Sequence, residues 1–156
     1  MYKLIRVLWL LSLVGFLITF LTTYANLEEA IKLKINIEAE PITIGRDSFF
    51  YLCISIFLII NVLLYVFARI LRNLPAPQPN QSLWLASPAL RERLIKWLLS
   101  FAFVFNLLFI FAVILIGNMS NMYARGNITF NVWIYTTGLF FAIWMIALLF
   151  IFARRN

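Results

Sequence analysis

The chain has 156 residues, of which 64% are hydrophobic and only 12% charged. Soluble domains usually carry about a quarter charged residues, so this composition excludes an ordinary water-soluble fold. A net charge of +7 would suit nucleic acid, but the cations sit in short groups between apolar runs, and that placement speaks against such a partner.

Four apolar runs follow one another: Val7 to Ala25, Phe49 to Ala68, Trp97 to Gly117 and Val132 to Ala153. None contains Asp, Glu, Lys, Arg or His. Each is long enough to cross a roughly 30 Å hydrocarbon core at about 1.5 Å per helical residue. The expected fold is an all-α integral membrane domain over residues 1–156, a four-transmembrane-helix bundle. Its loops fall at 26–48 (outer), 69–96 (inner) and 118–131 (outer).

Lys3 and Arg6 before the first run, with Thr23-Tyr24-Ala25 at its end, give the outline of a signal peptide. The run is longer than a usual signal core, so a retained helix is expected. Within it Ser12, Gly15, Thr19 and Thr22 share a stripe, the small and polar kind of face on which helices meet in lipid. The first outer loop alternates strictly from Ile31 to Glu38, placing Ile31, Leu33, Ile35 and Ile37 on one face. That is a strand pattern, and Ile42-Thr43-Ile44 after Pro41 reads as a second short strand. A lone ribbon is marginal in water. Its apolar side, Ile31, Leu33, Ile35, Ile37, Ile42 and Ile44, is therefore expected to rest on the bundle as a cap or to meet another protein.

The second and third runs each carry one amide near mid-length. Asn61 lies about 18 Å below the outer surface and Asn106 about 16–17 Å below the same surface, so the two are nearly level. An unpaired amide in hydrocarbon costs several kcal/mol, which predicts bonding between them or to nearby hydroxyls. They serve either as structural glue or as a polar rung beside a small-molecule or quinone pocket. Cys53, the single cysteine, reads as a packing residue. With no His and one Cys, no intrachain disulfide, His-ligated haem or usual zinc site can form, and no cofactor is expected. The inner loop holds Pro75, Pro77 and Pro79, a stiff connector, before Ser87 as N-cap and Pro88 as first helical residue.

On the third helix Ala102, Asn106, Val113 and Gly117 share one face, and Trp97, Phe101, Phe105 and Phe109 form an aromatic row. On the fourth, Gly138 and Ala142 form a small-xxx-small pair beside Thr136 and Thr137. No proline and no Asp, Glu, Lys, Arg or His interrupts a run, which argues against an ion or substrate pathway. The side bearing the 69–96 loop carries nine cations and one acid, Glu92; the other side carries four cations and five acids. Basic residues near membrane-spanning ends stay in the cytoplasm, so both termini are expected there.

The order Tyr24, Leu27, the alternating Ile31 to Ile37 stretch, Pro41, Arg46 and Phe49-Phe50, followed by Trp84-Leu85-Ala86-Ser87-Pro88, resembles an uncharacterised bacterial membrane domain. That domain also begins the sporulation-delay immunity proteins. The likeness covers about the first 118 residues. The family's Leu-Pro turn is Leu27-Glu28 here, and its outer-loop His and Gly are missing. The resemblance implies a bacterial plasma-membrane protein of immunity or signal-sensing type. Read from the residues alone, the chain is expected to be a non-catalytic accessory or structural subunit that meets lipid and a membrane-protein partner. A stand-alone immunity or sensor protein recognising a peptide or toxin at the outer loop is the alternative. An enzyme ranks behind both, because the sequence holds no evident set of acid, base, nucleophile or metal ligand.

Overall fold

Among the described residues, apolar side chains without interior proline give four helices, and the ends are set by local chemistry rather than by where hydrophobicity stops. The computed structural model describes residues 2–33, 42–75, 87–121 and 130–153. In chain order they form α1 (Tyr2–Ala25), β1 (Ala30–Leu33), β2 (Ile42–Gly45), α2 (Arg46–Asn73), α3 (Pro88–Asn121) and α4 (Phe130–Ala153). The segments Lys3–Ala25, Arg46–Asn73 and Pro88–Asn118 are each long and apolar enough to cross a membrane. In the 24-residue α4 the apolar stretch is Tyr135–Ile151.

Helix α1 closes with carbonyls already partnered. The Thr23 carbonyl accepts from Asn26 N (3.0 Å), the Tyr24 carbonyl from Leu27 N (3.2 Å), and Asn26 Nδ2 donates to the Thr22 carbonyl (2.9 Å). Helix α2 starts three residues before the expected Phe49 and runs on to Asn73. Pro75 disfavours helical backbone at the residue before it, and Leu74 is accordingly extended. The freed Leu74 carbonyl is bonded by Arg91 Nη1 at 2.8 Å, tying the end of α2 to the start of α3. Helix α3 begins at Pro88, whose missing N–H costs nothing in a first turn, and therefore extends well before Trp97.

The antiparallel ribbon pairs Ala30 with Gly45 and Leu33 with Ile42. It packs on α3 through β1 and on α2 through β2. Helix α3 is the central element, contacting α1, α2 and α4. Among the described residues two apolar clusters result. The ribbon-end cluster gathers Phe16, Phe20, Ile31, Phe49, Phe57 and Val113; the other end gathers Trp9, Ala68, Ile95, Leu99 and Ala102. Between them lies a polar layer of Ser12, Asn61 and Asn106.

Candidate functional site

The polar layer is built by three helices. Asn61 of α2 and Asn106 of α3 are 6% and 0% exposed, and Ser12 of α1 is 4% exposed. Asn61 Nδ2 donates to Asn106 Oδ1 at 2.8 Å, and Asn106 Nδ2 donates back to Asn61 Oδ1 at 3.1 Å. The second N–H of Asn61 goes to the Phe57 carbonyl (2.9 Å) and that of Asn106 to Ser12 Oγ (2.9 Å). Trp9 Nε1 donates to Asn61 Oδ1 at 3.1 Å, and Ser12 Oγ returns its proton to the Trp9 carbonyl at 2.7 Å. Every N–H and O–H of these four side chains is thereby used. A layer with all its donors satisfied internally holds helices together and leaves none for a ligand.

Trp9 was not legible as a member of this layer, since a tryptophan near a helix start reads as an interfacial anchor. Its spacing from Ser12 is the signal that could have found it: i and i+3 share a helix face. The contact face of α1 continues through Phe16, Phe20 and Thr23 rather than through Thr22. Thr22 is exposed and returns its hydroxyl to the Ile18 and Thr19 carbonyls, both at 2.9 Å. Thr19 is half-buried. Gly15 lies against Ile110 of α3; a Cβ placed there would sit 3.7 Å from its Cδ1. At Gly117 a Cβ would come within 2.5 Å of Thr23 Cγ2, so only glycine admits that approach.

Helices α1 and α2 meet through a ladder of aromatic rings. Trp9 stacks on Tyr65 (5.7 Å between centroids), Phe16 on Phe57 (3.7 Å) and Phe20 on Phe50 (5.3 Å). The row on α3 divides. Phe109 joins this ladder beside Phe16 (5.4 Å), whereas Trp97 and Phe101 face α4. Trp97 Nε1 donates to the Trp144 carbonyl at 3.2 Å, and Phe101 meets Phe141 at 5.6 Å. This aromatic seam, not the small-residue pair, decides which way α4 faces. Gly138 has nothing within 4 Å of a Cβ position and Ala142 is exposed, so the expected contact at that pair is not made among the described residues.

At the ribbon, Ile31 is 0% exposed and Ile44 half-buried against the same core, so both are engaged within the chain. Ile35 and Ile37 lie outside the described residues, as do the side chains of Leu33 and Ile42. Tyr24 clasps this end: its hydroxyl donates to Asp47 Oδ1 (3.0 Å), and the Arg46 guanidinium lies 5.2 Å from its ring centroid. Arg46 N donates to the Glu29 carbonyl at 3.0 Å, joining ribbon to helix. Among the described residues no cluster of His, Cys, Asp and Glu could hold a metal ion. Comparison with protein-family models, with curated proteins and with solved structures finds no match.

Proposed function

We propose that the chain crosses a bacterial plasma membrane four times with both termini cytoplasmic, as a non-catalytic accessory or structural subunit of a larger membrane assembly. The observation that carries this reading is the situation of α4. It rests on α3 along one aromatic seam while Tyr135, Leu139, Leu149 and Phe150 stay open. Its one small-residue pair, Gly138 and Ala142, lies on the open side, where a helix from another protein approaches most closely. The closed polar layer supports the same reading, because it serves assembly and leaves no donor for a substrate.

Gentle detergent extraction of the tagged protein from its native membrane, with mass analysis of what travels with it, tests the proposal. Stoichiometric recovery of a larger membrane protein, lost in a Gly138→Leu variant, is the expected result. A clean monomer or homo-oligomer would overturn it. That outcome favours the second reading, an immunity or signal-sensing protein, for which the support is the outer clasp. Tyr24, Leu27, Arg46, Phe49 and Phe50, residues on which the family resemblance rests, converge there beneath the ribbon.

A further inference from the structure

The end of the bundle opposite the ribbon holds a cavity of about 340 Å³ between α1, α2 and α3. Its lining includes Arg6 and Trp9 from α1, and Tyr65, Arg69 and Arg72 from α2, with Leu99 of α3 behind. The spacing explains the convergence. Arg6 and Trp9 are i and i+3; Tyr65, Arg69 and Arg72 are i, i+4 and i+7, one face of a helix. Because α1 and α2 run antiparallel, those faces bring three guanidinium groups to one opening. Among the described residues no carboxylate lines it.

Below the arginines the wall changes character. Trp9 and Tyr65 stack with 7° between their planes, and the indole N–H is spent on Asn61, which fixes the ring as a flat apolar floor. Deeper along the same helices Leu10, Leu58 and Val62 are exposed. Arg6 immediately precedes the first apolar run and Arg69 immediately follows the second, so the cavity sits where hydrocarbon gives way to headgroups. Guanidinium forks match phosphate oxygens two at a time. The volume falls within the roughly 300–1,000 Å³ of ordinary ligand clefts.

We propose that this cavity binds the phosphate of an anionic phospholipid, with its acyl chains laid along the exposed apolar faces of α1 and α2. The inference rests on the membrane reading above. A free phosphate would use the guanidinium groups alone; a lipid uses the arginines, the aromatic floor and the apolar faces together.

The test uses the full chain purified in neutral detergent and titrated with short-chain phosphatidylglycerol, short-chain phosphatidylcholine or inorganic phosphate, with binding read by native mass spectrometry. The wild-type chain is expected to prefer phosphatidylglycerol about tenfold or more, and the double substitution Arg6→Gln/Arg69→Gln to abolish that preference. Arg93→Gln removes the same kind of charge on the same side without touching the cavity lining, and is expected to preserve it. Arg69→Lys keeps the charge but not the fork, and is expected to give an intermediate value. Equal wild-type affinity for the two lipids would overturn the proposal whether or not the variants fold. So would displacement of the lipid by millimolar inorganic phosphate, which would assign the cavity to a soluble anion. A failure of the membrane reading itself looks different: the protein would then remain in the aqueous phase without detergent.

Discussion

Asn61 and Asn106 each occupy both of their amide protons, and the two singly substituted proteins are therefore not equivalent to the doubly substituted one. Asn61→Leu strands the Trp9 indole N–H and one Asn106 proton in an apolar interior, a loss of roughly 1–2 kcal/mol. Asn61→Leu with Asn106→Leu leaves fewer orphaned groups, so its cost is expected to fall short of the sum of the singles. Reversible unfolding in bicelles measures this, and strictly additive losses would sink the closed-layer account. The glycines make a sharper contrast. Gly117→Ala drives a methyl into Thr23 Cγ2, and a β-branched side chain in a helix has little room to rotate away. We expect a loss of about 1–3 kcal/mol, relieved by adding Thr23→Ala. Gly15→Ala meets Ile110 at ordinary van der Waals distance and is expected to be nearly neutral in the same assay.

Among the elements, the ribbon depends on Ile31, which fills the ribbon-end core beside Leu27 and Phe16. Ile31→Asp would bury a carboxylate there, so the ribbon should lift while the helices stay paired. Faster hydrogen exchange at the Arg46 amide, now bonded to the Glu29 carbonyl, would report the release; unchanged protection would argue that the ribbon is held elsewhere. The ribbon and the level of the two asparagines were both legible in the sequence, for a physical reason. Strict alternation has period 2, and distance from a helix end converts directly into depth. The start of α3 was legible from Ser87 and Pro88, but the ends of α2 were not legible from hydropathy, because α2 begins at Arg46 and continues past its apolar run until Pro75 intervenes. The face of α4 was not legible either. Small residues mark contacts only statistically, and the bulky Phe141 and Trp144 took the contact instead. The ring ladder between α1 and α2 was not legible, because with sixteen Phe in the chain no one spacing stands out.

For the whole molecule, the charge asymmetry predicts an orientation that thiol labelling can read. Cys53 is buried in the core, and Cys53→Ala provides a cysteine-free background. On that background Thr43→Cys, at an exposed ribbon position, is expected to react with an impermeant maleimide in intact cells. Lys3→Cys is expected to react only after lysis, and the reverse pattern would invert the topology. The polar layer also constrains how such a molecule can be made. Synthesis delivers α1 first, then α2, whose Asn61 meets Trp9 but still lacks Asn106. Only with α3 do Asn61 and Asn106 bond each other, so on the membrane reading the nascent chain is expected to stay beside the insertion machinery until three helices have emerged. A chain stopped after Asn73 should then be cleared rapidly in a pulse-chase experiment, and one stopped after Asn121 should persist. On the membrane reading proposed above, helices α1 to α3 are the smallest unit that buries both Asn61 and Asn106, and α4 joins them last.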